Sequence, residues 1–325
     1  MSPTDETSDR GQILVIVGLL IAVMLVALAL VLNAAIFTEN LSTRETTDSE
    51  KPSAYAADTG STVADVYNRT NDNDTRKAVY AKTSFNESLE TWADSRSDTA
   101  AENGALFVAD WTTHVGWRLE QTENRSFTPA DDDSKTEWTV ADGVQNISAF
   151  ELNVNRTKLY NGANDAAFHV FLSDGTDTWK VFVYRNGGGD IVVSADDPTA
   201  TPQCTRATNR AVIDVRSGTV ARTDCAALDL PTSLDGKLSV EFRNVQDGSG
   251  TERVNGTYTL VVNGSDAIAR DAGGHPERFN ASGKMPPTAT AVVYAVRYDT
   301  RYQRKEVVHD VEGWHSPREE TYQSS

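Results

Sequence analysis

The sequence predicts an α+β protein: an N-terminal transmembrane helix, a small helical layer, then a mainly antiparallel β domain folded as a sheet or sandwich. Three observations carry this expectation. An uninterrupted apolar run of 20 residues extends from Ile13 to Leu32. A short segment with helical apolar spacing follows near Phe85. Beyond residue 110 the apolar period changes to two, and turn residues recur between short runs. The expected organisation is a short cytoplasmic leader over 1–12, a transmembrane helix over 13–37, a linker and helical region over 38–110, and an extracellular β-rich domain over 111–325.

The apolar run comes first. At 1.5 Å per residue, 20 helical residues span about 30 Å, the thickness of a bilayer core, and no charge interrupts the chain from there until Glu39. A secretory signal has an apolar core of only about 7–15 residues, followed by a small-residue cleavage site. Asn33-Ala34-Ala35 imitates such a site, so simple secretion is the alternative, but the length favours a span. The leader is poor in positive charge, with Asp5, Glu6 and Asp9 against Arg10. A short tail on one side and residues 38–325 on the other nevertheless fit a single-pass cell-membrane protein. Its N-terminus would be cytoplasmic, its C-terminal domain extracellular, and membrane lipid a partner. Within the run, Gly18-x-x-x-Ala22 has the small-residue spacing that lets helices approach closely in lipid.

The remaining chain supports export. Asn-X-Ser/Thr occurs ten times, at Asn40, Asn68, Asn73, Asn86, Asn124, Asn146, Asn155, Asn255, Asn263 and Asn280, every time after the apolar run. Such asparagines are glycosylation acceptors on the outer side of a membrane. Two cysteines, Cys204 and Cys225, suit one disulfide worth roughly 3 kcal/mol by the chain-entropy argument, or else two buried thiols. Net charge is -17, with Asp and Glu at 47 against 30 Lys and Arg, of which only 9 are Lys. This balance fits a halophilic surface, where concentrated salt screens carboxylate repulsion, with an ordinary acidic surface protein from a low-salt organism as the alternative. It also excludes nucleic acid as a partner, because phosphate would be repelled.

In the helical region, Leu41–Gly60 is apolar-poor and broken at Pro52, as a linker would be. Ser84-Phe85-Asn86-Glu87 reads as a capping box, with Phe85, Leu89 and Trp92 on one face of a short helix. That face is expected to pack on the domain's own core. Alternation then marks strands around Val115–Leu119, Phe150–Val154, Ala211–Val215, Leu238–Phe242, Tyr258–Val262 and Ala291–Tyr298. Trp179–Arg185, Asn186-Gly-Gly-Gly189 and Asp190–Val193 form the clearest hairpin.

Catalytic and metal motifs fail on spacing. His114, His169, His275, His309 and His315 form no HExxH pair. Asp131-Asp132-Asp133 lacks the glycine and the distal glutamate of a calcium loop. Gly187-Gly188-Gly189 precedes a strand and not a helix, so it is a turn and no phosphate cradle. Ser249 lies in a polar loop without the G-x-S-x-G setting. Trp111, Trp117, Trp138 and Trp179 are expected in the core, with a carbohydrate-binding face as the alternative. No catalytic residue, cofactor or metal ligand is assigned, and no enzyme is expected.

Arg10-Gly11-Gln12, set directly before the apolar run, resembles the processing site of haloarchaeal type IV pilin-like surface proteins with class III signal peptides. The resemblance covers about the first 35 residues of an archaeal-type layout. It implies cleavage between Gly11 and Gln12 and retention of the hydrophobic helix on the mature chain. Pilins usually carry Glu at the fifth mature position, where this chain has Ile16, so a minor component fits better than a major filament subunit. The resemblance implies a cell-surface structural or interaction protein, pilin-like or pilus-associated, whose partners include pilin-like subunits. The alternative is a membrane-anchored, outward-facing enzyme or a carbohydrate- or solute-binding module.

Overall fold

A computed structural model describes residues 56–316, apart from 74, 200, 235, 271–275, 282 and 306, together with 19, 21, 22 and 24–26. The chain divides into two compact units, Met1–Thr59 and Gly60–Ser325. In the first unit the described residues among 19–26 are helical and exposed. The 1–12 leader and most of the 13–37 segment lie outside the described residues. Among the described residues no helix is long and apolar enough to cross a membrane.

The second unit is mainly antiparallel β, as the alternating pattern requires. Its strands are β1 (Leu106–Arg125), β2 (Glu137–Val144), β3 (Ile147–Asn155), β4 (Phe168–Ser173), β5 (Thr178–Arg185), β6 (Ile191–Ala195) and β7 (Gln203–Arg206). There follow β8 (Arg210–Asp214), β9 (Thr219–Val220), β10 (Thr223–Asp224), β11 (Leu238–Arg243), β12 (Gly256–Asn263), β13 (Thr288–Arg304) and β14 (Val307–His315). One sheet runs β10-β9-β8-β3-β12-β1-β13-β14, and the other β2-β11-β4-β5-β6-β7. The strand pattern read from sequence is therefore found, with longer strands at both ends of the domain.

Two helical segments precede the sheets: α1, residues 56–71, and α2, Ala78–Glu102. The capping-box expectation is corrected here. Ser84 lies inside α2, and its carbonyl accepts the Ser88 hydroxyl at 2.8 Å. The helix begins six residues earlier, after Lys77, which supplies no side-chain cap. Burial of Ala78 and Ala81 in the core carries the helix past its local signal, as tertiary packing regularly overrides propensity. The helix stops at Gly104, whose φ of +66° favours a residue without Cβ.

The larger sheet carries two covers on one face. Trp117 and Leu119 of β1, with Ala289 and Ala291 of β13, join the core shared with the second sheet. Further along the same strands, Val293 and Val296 pack with Val63, Val66 and Tyr67 of α1 and with Phe85 and Leu89 of α2. A bulge between His114 and Val115 marks the change. Phe127 anchors the sandwich core, 5.2–5.6 Å from the rings of Phe168, Phe242 and Tyr258. Close strand approach requires glycine at Gly116, where a Cβ would meet the Val262 carbonyl oxygen at 2.0 Å.

The connection between α1 and α2 closes the edge of β13 where β14 no longer covers it. The Asn71 side chain donates to the Val293 carbonyl at 2.9 Å and accepts the Val293 amide at 2.8 Å. Beside it, the Ala291 amide donates to the Thr75 carbonyl at 2.7 Å. One side chain thus supplies both hydrogen bonds that a neighbouring strand would make. Asn71→Ala leaves a strand donor and acceptor without partners, so it should lower unfolding stability by about 1–3 kcal/mol. Denaturant titration followed by tryptophan fluorescence measures it, and an unchanged midpoint would show that the contact carries no stability.

Candidate functional site

The sequence-derived sites separate on their surroundings. Gly11, Gln12 and Asn40 lie outside the described residues, as does His275. Cys204 and Cys225 form a disulfide, with Cα atoms 5.7 Å apart. It ties β7 to the 3-10 turn Ala226–Leu228 that follows β10.

The nine described sequon asparagines differ in access. Asn68, Asn73 and Asn124 are exposed, whereas Asn86, Asn146, Asn155 and Asn280 are partly buried. Asn255 and Asn263 are 8% and 6% exposed. Asn263 Oδ1 accepts the backbone amides of Gln145 and Asn146 at 2.9 and 2.8 Å, which clamps the β2–β3 turn. Asn86 Oδ1 accepts from the Trp111 indole at 3.2 Å and the Thr113 hydroxyl at 2.7 Å, docking α2 on β1. Asn255 and Asn280 already donate their Nδ2, the atom a glycan would occupy, to Glu252 and to the Met285 carbonyl.

Histidines are placed by packing. His169 is buried, 4.6 Å from the Phe182 ring, and burial pushes its pKa below the usual range. His114 stacks 6.1 Å from Trp314, and burial, with Lys82 adding to it, also lowers its pKa. His315 meets Tyr67 edge-on, and His309 is exposed. Among the described residues no group of three or more His, Cys, Asp or Glu could hold a metal ion.

The loop motifs are turns. Asp132 accepts from the Ser134 hydroxyl and amide, bonds that hold its carboxyl below the usual range. Asp247 accepts from the Ser249 hydroxyl at 2.6 Å, and this bond with the Thr251 and Ser249 amides lowers its pKa to about 2. A depressed carboxylate stabilises the fold above its unfolded pKa and loses that contribution as pH falls toward about 2. Asn186 Oδ1 accepts the Gly188 and Asp190 amides, which shapes the glycine run into the β5–β6 hairpin. Trp117, Trp138 and Trp179 are buried core residues.

A cleft of about 450 Å³ opens at one end of the sandwich. Phe150 of β3 and Leu172 of β4 line it from the two sheets, and Leu228 and Leu234 line it from the 226–237 segment. Arg216 and Asp229 stand among its polar lining residues, and both are exposed. The Arg216 Nε donates to the Ile147 carbonyl at 3.1 Å, and its backbone amide donates to Asp214 Oδ1 at 3.1 Å. Sequence reasoning missed this pair. The two residues belong to no motif, and the β9–β10 hairpin between them, closed by the Cys225 amide donating to the Gly218 carbonyl at 2.8 Å, brings their turns together.

No known protein family, curated protein or solved structure matches this chain.

Two outcomes are expected. Glycopeptide mass spectrometry of protein from native membranes should find glycans at Asn68 and Asn124 and none at Asn255 or Asn263. Replacing Cys204 and Cys225 together by Ala should lower stability by roughly 3 kcal/mol, read from the denaturation midpoint.

Proposed function

We propose that this protein is a cell-surface structural or interaction component, pilin-like or pilus-associated, anchored or assembled through the hydrophobic segment 13–37. The N-terminus faces the cytoplasm, and the β-rich unit lies outside. One conjunction carries this reading: a 20-residue apolar run directly preceded by Arg10-Gly11-Gln12, on a chain whose β-rich unit holds a disulfide. Disulfides persist in oxidising compartments, which supports export. Lipid, and pilin-like subunits packing through Gly18 and Ala22, are the partners of that anchor.

The mature N-terminus tests the reading. Mass spectrometry of the protein from native membranes should find a chain beginning at Gln12, and Gly11→Val should leave the leader attached. An intact Met1 or Ser2 would reduce the protein to a plain anchored one. A start near Ile36 would mean secretion and would overturn the anchor.

A further inference from the structure

We propose that two copies of this chain pair through β14, edge to edge and antiparallel, when salt is high. The four sheet edges differ in kind. β10 has two residues, β7 has four, and β2 is broken by register shifts against β11. β14 is long and regular, with nine residues in unbroken register with β13. Short and bulged edges resist pairing with another chain, whereas a long regular one invites it. Among the described residues no strand lies on its outer side. Arg304 and Val307 close a two-residue turn, so they bond each other. Alternation then turns the backbone groups of Val308, Asp310 and Glu312 away from β13. Val307 and Val308 are 40% and 41% exposed.

The occupant this edge fits is its own copy. A two-fold axis at Val311, the middle residue of the strand, sets outward N–H groups opposite outward carbonyls in one isologous contact. The same rotation brings Asp310 of one copy beside Glu312 of the other, and like charges directly opposite resist pairing. Each acid is partly offset within its own copy. The Arg301 Nε lies 3.7 Å from Asp310, and an Arg297 terminal nitrogen lies 3.6 Å from Glu312. At about 1 M salt the Debye length falls to about 3 Å, which screens the remainder. Asp310 and Glu312 thus guard the edge in dilute salt and release it in concentrated salt. A basic strand from another protein would gain little from acids already held by arginine, and its binding would weaken as salt rises. The contact rests on β14 alone and stands whether or not residues 13–37 span a membrane.

Sedimentation of the full chain in detergent tests the contact. Raising NaCl from about 0.1 M to about 2 M should shift monomer toward dimer. Asp310→Asn removes the repulsion and should tighten the dimer about fivefold at about 0.1 M salt. Asp310→Pro loses the same ion pair and also the outward N–H, and should abolish the salt-driven dimer. An unchanged circular dichroism spectrum verifies that both variants fold. Val311→Cys supplies a single free thiol, because Cys204 and Cys225 are joined. It should oxidise to a disulfide-linked dimer at about 2 M salt, whereas Val212→Cys, on the exposed side of β8, should not. A chain still monomeric at about 2 M salt overturns the proposal. So does association that weakens with salt, or that a folded Asp310→Pro retains, since it would then run through another surface such as the apolar segment.

Discussion

Everything in the β-rich unit depends on covering one face of one long sheet. The strands β1 and β13 run 20 and 17 residues, longer than the second sheet can hide. An apolar sheet face left in water would cost about 25 cal/mol for each Å² exposed. The chain covers it with two layers, the six-stranded sheet over Trp117 and Leu119 and the helices over Val293 and Val296. The bulge at His114 and Val115 falls at the junction of the two.

Polar side chains solve the junctions that apolar packing leaves open. Asn71 takes the place of a strand beside Val293, Asn86 seats α2 on β1, and Asn263 fixes the β2–β3 turn. Each replaces water at a buried backbone or side-chain group, and an unpaired group there costs about 1–3 kcal/mol. This explains why asparagines within glycosylation motifs differ so widely in access. The motif records only a local tripeptide, whereas Asn263 is held by a turn more than a hundred residues away in sequence. The cleft depends on the same turn, and on a disulfide that brings the segment carrying Asp229 up to the opening.

The legible part of this protein was local and periodic. Alternation in Phe150–Val154 and Tyr258–Val262 identified strands, because a half-buried strand must alternate apolar and polar residues. The glycine run at 187–189 was readable as a turn for a similar reason. Phe85, Leu89 and Trp92 announced a helix face that needed a partner. The start of α2 was misread, since Ser84 offers a capping signal that burial of Ala78 and Ala81 outweighs.

The sequence by itself determined the apolar anchor-like run, the acidic surface, the two-residue period and the spacing of the cysteines. These follow from composition and near neighbours, where the physics acts over a few residues. Only the tertiary structure decided the strand order, the second cover on the larger sheet and the pairing of Cys204 with Cys225. Each of these joins residues distant in the chain, and such contacts are fixed by which apolar faces can be buried together.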